Sequence, residues 1–259
     1  MPSLTQALIF AAGFGKRLRP LTDHTPKPLI PIGDTTCLDF AIQHITEAGI
    51  HRIVVNTHHL AGQIHQHLSN LSSSDLFRGS NQHPKIILSH EPEILETGGG
   101  LVNALPHFNS KEPILIVNGD IWWQEGSVPM LKRLQDAWDP DTMDILLLLI
   151  PKKVSIGYYG KGDYFLNDDQ RAEYRGQKDA APYVYPGVCI INSLVLASKY
   201  MDPRNKSEDD RVGAFSIKAF FDQAESNKRL SGLVHNNLWG DIGSPQGLAD
   251  VQKIANADV

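Results

Sequence analysis

The run Ala7-Leu8-Ile9-Phe10-Ala11-Ala12 is apolar without interruption and stops at Gly13. A strand with one wet face alternates polar and apolar residues. An unbroken apolar run is what a strand buried on both faces needs, and such strands belong to parallel sheets covered by helices. Parallel neighbours must be joined by long crossovers, usually helices, and the chain supplies them. Leu38, Ile42, Ile45 and Ala48 recur near helical spacing and Gly49 stands where a C-terminal glycine closes a helix, so residues 38–48 are predicted helical. Arg52 to Asn56 reads as the next strand, Ala61 to Leu68 as a helix and Ile86 to Leu88 as a third strand. A short helix is expected from Gly99 to Leu105, then a fourth strand, Ile114 to Val117, running into Asn118-Gly119-Asp120. Alternation of this kind predicts an α/β fold. The polar stretches Ser69 to Pro84 and Asp202 to Asp210 read as surface loops rather than linkers. No internal repeat or low-complexity tract interrupts the pattern, so one large domain over residues 1–259 is expected.

Composition narrows the functional classes. A formal charge of -5 disfavours a nucleic-acid or anionic-membrane binder, because those partners need a positive surface. Cys37 and Cys189 are too few and too far apart for a disulfide framework or a four-cysteine zinc site, and both read as structural. The amino end lacks the basic n-region of a signal peptide, and the longest apolar run, Ile145 to Ile150, is too short to span a bilayer. The expectation is a cytoplasmic protein.

Four segments carry the chemistry. The first, Ala11-Ala12-Gly13-Phe14-Gly15-Lys16-Arg17-Leu18-Arg19-Pro20-Leu21-Thr22, follows the first strand directly. Its glycines let backbone amides approach a polyphosphate, and its cations supply charge-assisted bonds. It is neither a P-loop, since Gly15-Lys16 is followed by Arg17, nor a dinucleotide fingerprint, since Leu18 holds the place of the third glycine. The second, Thr25-Pro26-Lys27-Pro28-Leu29-Ile30-Pro31-Ile32, stiffens the backbone around one lysine, which suits a cation aimed at a fixed anion. The third, Asn118-Gly119-Asp120, ends a buried strand, where open α/β sheets place their ligands. A carboxylate there suits Mg²⁺, which takes oxygen ligands. The fourth, Trp239-Gly240-Asp241-Ile242-Gly243-Ser244-Pro245, holds a second glycine-flanked carboxylate. Taken singly, each also reads as a turn or a rigid connection.

Together with Glu96-Thr97-Gly98-Gly99-Gly100, and in this order, these segments resemble the sugar-1-phosphate nucleotidyltransferase family along nearly the whole chain. Leu95 to Gly100, Gly162-Asp163-Tyr164 and the short carboxyl end are most similar to the bacterial N-acetylmuramate 1-phosphate uridylyltransferases of cell-wall recycling. The likeness to short mannose-1-phosphate guanylyltransferases is weaker. The resemblance implies a Rossmann-like nucleotidyltransferase domain with a mixed, mostly parallel sheet, Mg²⁺ as cofactor, and as partners a nucleoside triphosphate, UTP in this subgroup, and a sugar 1-phosphate. It implies catalytic roles for Arg17, Lys27 and Asp120, with Arg17 and Lys27 on the phosphates. Asp120 and Asp241 would hold the metal. The nucleotide would lie along Ala11, Ala12, Gly13, Gly15, Lys16, Thr97 and Gly98, and Gly187 would lie along the sugar. The chain lacks the Glu-Lys-Pro motif whose lysine contacts the sugar phosphate in many larger members. Lys161, beside Gly162-Asp163, is the nearest positional substitute, so Lys161, Asp163 and Gly187 form the expected sugar-phosphate side.

Other readings fit less well. His58, His59, His65 and His67 cluster in sequence, yet adjacent histidines cannot easily turn to one ion and no companion ligand stands at zinc spacing. Trp122-Trp123 reads as a core edge. A catalytically silent, ligand-sensing relative would have lost a metal carboxylate or the phosphate lysine, whereas Lys27, Asp120 and Asp241 are all present. A dinucleotide oxidoreductase would need the intact glycine fingerprint.

Overall fold

The computed structural model describes residues 4–71, 83–196 and 213–256. Of the two predicted loops, 202–210 lies outside the described residues and 69–84 lies mostly outside them. Through the first half the chain runs β1 (Gln6–Phe10), the short pair β2 (Pro31–Ile32) and β3 (Thr35–Thr36), α1 (Cys37–Glu47), β4 (Arg52–Thr57), α2 (Ala61–Leu71), β5 (Lys85–His90), α3 (Glu96–Ala104), β6 (Ile114–Asn118) and β7 (Ile121–Trp123). It continues through α4 (Met130–Ala137), β8 (Ile145–Pro151), β9 (Ser155–Ile156), β10 (Tyr164–Leu166), β11 (Ala172–Tyr174), β12 (Tyr183–Val184), β13 (Val188–Ile191) and α5 (Ser193–Leu196). The last elements are α6 (Lys218–Ser226), β14 (Leu230–Val234), β15 (Trp239–Asp241) and α7 (Pro245–Ala255).

Ten strands form the main sheet, in the order β11-β10-β12-β8-β13-β6-β1-β4-β5 with β14 beside β8. The core quartet β5, β4, β1 and β6 is parallel. Antiparallel β13 separates β6 from β8, so β8, β14 and β10 again run with the quartet, while β13, β12 and β11 oppose it. The α/β class and the mixed, mostly parallel sheet follow directly. Alternate residues of each central strand feed two separate cores. Ala7, Ile9, Leu115, Val117, Leu146 and Leu148 pack with α1, α2, α4 and α7 on one face. On the other, Leu8, Ile114, Ile116, Ile145 and Leu147 pack with α3, α5 and α6. Burial on both faces explains why these strands show no polar alternation.

Local chemistry sets the ends of the elements. Thr36 caps α1 by accepting from Asp39 N at 3.1 Å, and Gly49, at φ 82°, lets the chain leave that helix. The helix expected from Gly99 begins earlier, at Glu96. Its glycines are poor helix formers, but side chains there have no room. A Cβ at Gly98 would lie 2.8 Å from Phe215 O, and one at Gly100 2.6 Å from Glu91 Oε1 and 2.8 Å from Asn56 Nδ2. The first strand ends at Phe10 rather than Ala12 because Ala11 N turns from the ladder to Asn56 Oδ1, at 2.6 Å. Among the described residues no helix is long and apolar enough to cross a membrane.

Candidate active site

The sheet order places β6 and β4 on opposite sides of β1, and the crossovers covering them lie on opposite faces. The crevice at the carboxyl ends of β1 and β6 is therefore a topological switch point. Phe10 pairs with Asn118, so the segments after both strands leave the sheet side by side. Gly119 N donates to Phe10 O at 2.9 Å, and a Cβ on Gly119 would lie that same distance from the carbonyl, so the approach needs glycine. Asp120 follows at once. On the other side, β15 pairs antiparallel with β7 in the register Asp241 to Ile121, which sets Asp241 beside Asp120 although 121 positions separate them in sequence.

Lys27 reaches this point from the proline-flanked segment, where it opens a single helical turn after Pro26. Its Nζ donates to Asp120 Oδ2 in a mostly buried ion pair. Arg17 arrives from the glycine loop. Gly15, at φ 61°, starts the turn Lys16–Leu18 that projects it, and Thr22 Oγ1 fixes that loop by donating to Gly15 O at 2.9 Å. Arg17 Nη2 and Asp241 Oδ1 flank Gly243 so closely that any Cβ there would collide with the guanidinium. Gly243 N donates to Asp241 Oδ1 at 2.8 Å.

These groups enclose a cavity of about 290 Å³ lined by Gly13, Gly15, Lys16, Arg17, Lys27 and Asp120, with Ala11 and Gly243. Among the described residues Arg17 has no hydrogen-bond or ion-pair partner, and the N–H groups of Gly13 to Lys16 have no protein acceptor. An open row of amides with an unpaired guanidinium and a lysine is a site for a polyanion. Arg19, the third cation of the segment, pairs instead with Asp23 at 3.0 Å.

A second cavity of about 180 Å³ continues past Ala12 and Gly13 to Asn56, Glu91, Glu96 and Thr97. Its floor is a buried relay. Ala11 N donates to Asn56 Oδ1, and Asn56 Nδ2 donates to Glu91 Oε1 at 2.7 Å. Leu95 N donates to Glu91 Oε2 at 3.0 Å. Burial pushes the Glu91 carboxyl above its ordinary value, and the two donors partly offset this. Glu96 lines the same cavity with a left-handed φ of 56°, an uncommon conformation for a residue with a side chain. A third cavity, about 340 Å³, shares Phe10, Thr97 and Asn118 with the second and extends to Asp163, Tyr174, Tyr185 and Lys218. Asp163 Oδ2 accepts from Tyr185 N at 3.0 Å, and burial raises that carboxyl too.

Most of the residues singled out in the sequence thus meet in one groove, but not all. Thr97 lines it while accepting from Ile217 N at 2.9 Å. Gly98 lies behind it, its N–H donating to Phe215 O at 2.8 Å, and lines none of the three cavities. Gly187, at φ 86°, is a support: its carbonyl accepts from Asn118 N at 2.8 Å and its Cα faces the Asn118 side chain. Lys161 requires correction. It is exposed and lines none of the cavities, because the chain crosses inward only at Gly162, at φ 81° and packed on Ala181 O, so that Asp163 and not Lys161 reaches the groove. The cation on that side is Lys218. The sequence reading also missed Asn56 and Glu91, although both stand at carboxyl ends of parallel strands, where a polar residue is a signal. The histidines go to separate partners: His58 to Glu91 O, His59 to Thr22 O, His65 to Thr57 Oγ1 and His67 to Asp39 Oδ1. Cys37 and Cys189 are buried, and burial pushes the Cys189 thiol up to about 12, which keeps it unreactive.

The sequence matches the Nucleotidyl transferase family over residues 6–257. It is 31% identical over 253 residues to N-acetylmuramate alpha-1-phosphate uridylyltransferase of Caulobacter vibrioides, covering 97% of each chain. To the protein of the same description from Neisseria meningitidis serogroup B it is 29% identical, over 97% of this chain and 99% of the relative. Among solved structures, UDP-glucose pyrophosphorylase complexed with UDP-glucose has the same fold, with a TM-score of 0.75 over 99% of this chain and 100% of that one at 16% identity.

Proposed function

The chain belongs to the nucleotidyl transferase family, and from that footing we propose that it transfers UMP from UTP to N-acetylmuramic acid α-1-phosphate, forming the UDP-sugar and releasing pyrophosphate. The observation that carries the reading is the gathering of Arg17, Lys27, Asp120 and the open amides of Gly13 to Lys16 on one cavity, with Asp241 against its Gly243 wall. The choice of UTP and of the acidic sugar draws support from the two relatives described above.

In this reading an oxygen of the sugar phosphate attacks the α-phosphorus of UTP. The new O–P bond forms as the bond from the α-phosphorus to the bridging oxygen breaks, and the electron pair leaves with pyrophosphate. A phosphate monoester with a second pKa of ~6 is already largely dianionic at neutral pH, so no side chain need remove a proton. Repulsion between two polyanions is the main obstacle, and positioned cations relieve it. Arg17 and Lys27 hold the triphosphate oxygens while the Gly13 to Lys16 amides fix the chain of phosphates.

The donor set suits Mg²⁺. Asp120 Oδ1 and Asp241 Oδ2 carry no hydrogen bond among the described residues, and Mg²⁺ commonly takes one or two carboxylates with phosphate and water completing its shell. Bound by Asp120 and Asp241, it would neutralise charge on the α-phosphate and the leaving group.

The test is pyrophosphate release measured over a panel of nucleoside triphosphates and sugar 1-phosphates. The reading requires UTP with N-acetylmuramic acid 1-phosphate to give the highest kcat/KM. A clear preference for GTP with mannose 1-phosphate would overturn the substrate assignment, and absence of pyrophosphate release with every pair would overturn the reaction.

A further inference from the structure

We propose that Lys218 selects acidic acceptor sugars, its ammonium pairing with a carboxylate borne by the sugar away from its 1-phosphate. The inference rests on the function proposed above and names the group that reads the acceptor. Lys16, Arg17 and Lys27 all line the first cavity, with Asp120. Lys218 lines only the third, where it is the sole lysine or arginine among the described lining residues. Lys218 lines neither the cavity of the amide row and Arg17 nor the one beside Glu91, so it stands on the sugar side of the groove. The proposed acceptor carries a carboxylate besides its 1-phosphate, and Lys218 is the cation of this cavity that can meet it.

The walls around it suit a sugar ring. Tyr164 and Tyr174 stack edge to face at 5.7 Å, Tyr185 and Phe221 at 5.2 Å, and Asp163 offers acceptors for hydroxyls. Lys218 opens α6, and its Nζ lies 3.9 Å from the Tyr174 ring centroid, which holds the charge over the aromatic face. Its other partner is Asp222, one turn along the same helix. Both side chains of that pair are well exposed, at 37% and 53%, so the pair contributes little and exchanges readily for a ligand carboxylate. An ammonium also has three donors, so a ligand need not displace Asp222 completely.

The rival reading makes Lys218 only a helix-surface ion pair, and the two differ in acceptor dependence. We would measure kcat/KM with UTP for N-acetylmuramic acid 1-phosphate and for N-acetylglucosamine 1-phosphate, which lacks the lactyl carboxylate, in the wild type, Lys218→Met and Lys218→Arg. Calorimetric affinities for the two UDP-sugar products would accompany them. The proposal expects Lys218→Met to lower kcat/KM and product affinity for the acidic sugar by about tenfold or more, the loss of one charge-assisted contact. The neutral sugar should change by less than about twofold, and Lys218→Arg should recover part of the preference. An unchanged acidic-to-neutral ratio in Lys218→Met, or an equal loss on both acceptors, overturns the role of Lys218. A wild type that ignores N-acetylmuramic acid 1-phosphate while using other acceptors overturns the proposed acceptor instead.

Discussion

Gly243→Ala separates folding from catalysis more cleanly than changing any charged residue. The backbone at Gly243 lies outside the left-handed region, so alanine adopts it without strain. The added Cβ, however, would overlap Arg17 Nη2 and lie 3.0 Å from Arg17 Cζ and 2.7 Å from Asp241 Oδ1, well inside contact distance. The guanidinium is the end of an exposed, flexible side chain and gives way at little cost, so stability should change by no more than about 0.5 kcal/mol. Catalysis is affected differently. On the proposed reading, displacing Arg17 from the cavity wall removes a charged hydrogen bond to the triphosphate worth roughly 1.5 to 3 kcal/mol, and because the same Cβ also presses on the Asp241 carboxylate, the corresponding roughly 10- to 150-fold fall in kcat/KM is a lower bound. Thermal unfolding and pyrophosphate release on the same preparation read the two effects. Near wild-type kcat/KM with an unchanged melting temperature would show that Arg17 does not act from where it stands beside Gly243.

Asp120→Asn and Asp241→Asn should each lower turnover by orders of magnitude while leaving the fold intact by circular dichroism; wild-type rates at limiting Mg²⁺ would remove that aspartate from the metal site. Lys27→Ala should weaken UTP binding by about 1.5 to 3 kcal/mol in calorimetry, and Lys27→Arg should not restore it, because a planar fork cannot replace a compact ammonium between Pro26 and Pro28. Burial raises the Glu91 carboxyl above its ordinary value of about 4.5, so between that pH and its folded pKa the native state binds more protons than the unfolded one, and the group's contribution to stability falls as pH rises. Glu91→Gln should flatten that part of the melting-temperature profile and cost about 1 to 3 kcal/mol, since an amide sets a donor against Asn56 Nδ2 or Leu95 N; a profile unchanged in slope would exclude Glu91 as its source.

What could be read in advance was whatever depends on local pattern. Strands β1, β4 and β6 are uninterrupted apolar runs because both faces are covered, and the glycine loop and Asp120 follow them by the same logic. Ile145 to Ile150, read only as too short to span a bilayer, is the body of β8. The insertion of antiparallel β13 between β6 and β8 depends on long-range pairing that no local period encodes. Strands β10 and β11 have three residues each, too few to show a period. The sugar side suffered most from this. Proximity in sequence to Asp163 points to Lys161, yet the Gly162 turn leaves it outside, while Lys218 arrives from a helix 55 positions beyond Asp163. Gly98 was expected at the nucleoside, but its lack of a side chain serves the contact with Phe215.

The central claim, that the crevice at the ends of β1 and β6 holds the triphosphate, is tested most directly by a crystal structure with Mg²⁺ and a UTP analogue that cannot be cleaved at the α-phosphorus. The account predicts phosphate oxygens within hydrogen-bond reach of Arg17, Lys27 and the Gly13 to Lys16 amides, with the metal between Asp120 and Asp241. A triphosphate bound elsewhere, or bound here with its metal away from both aspartates, would contradict it.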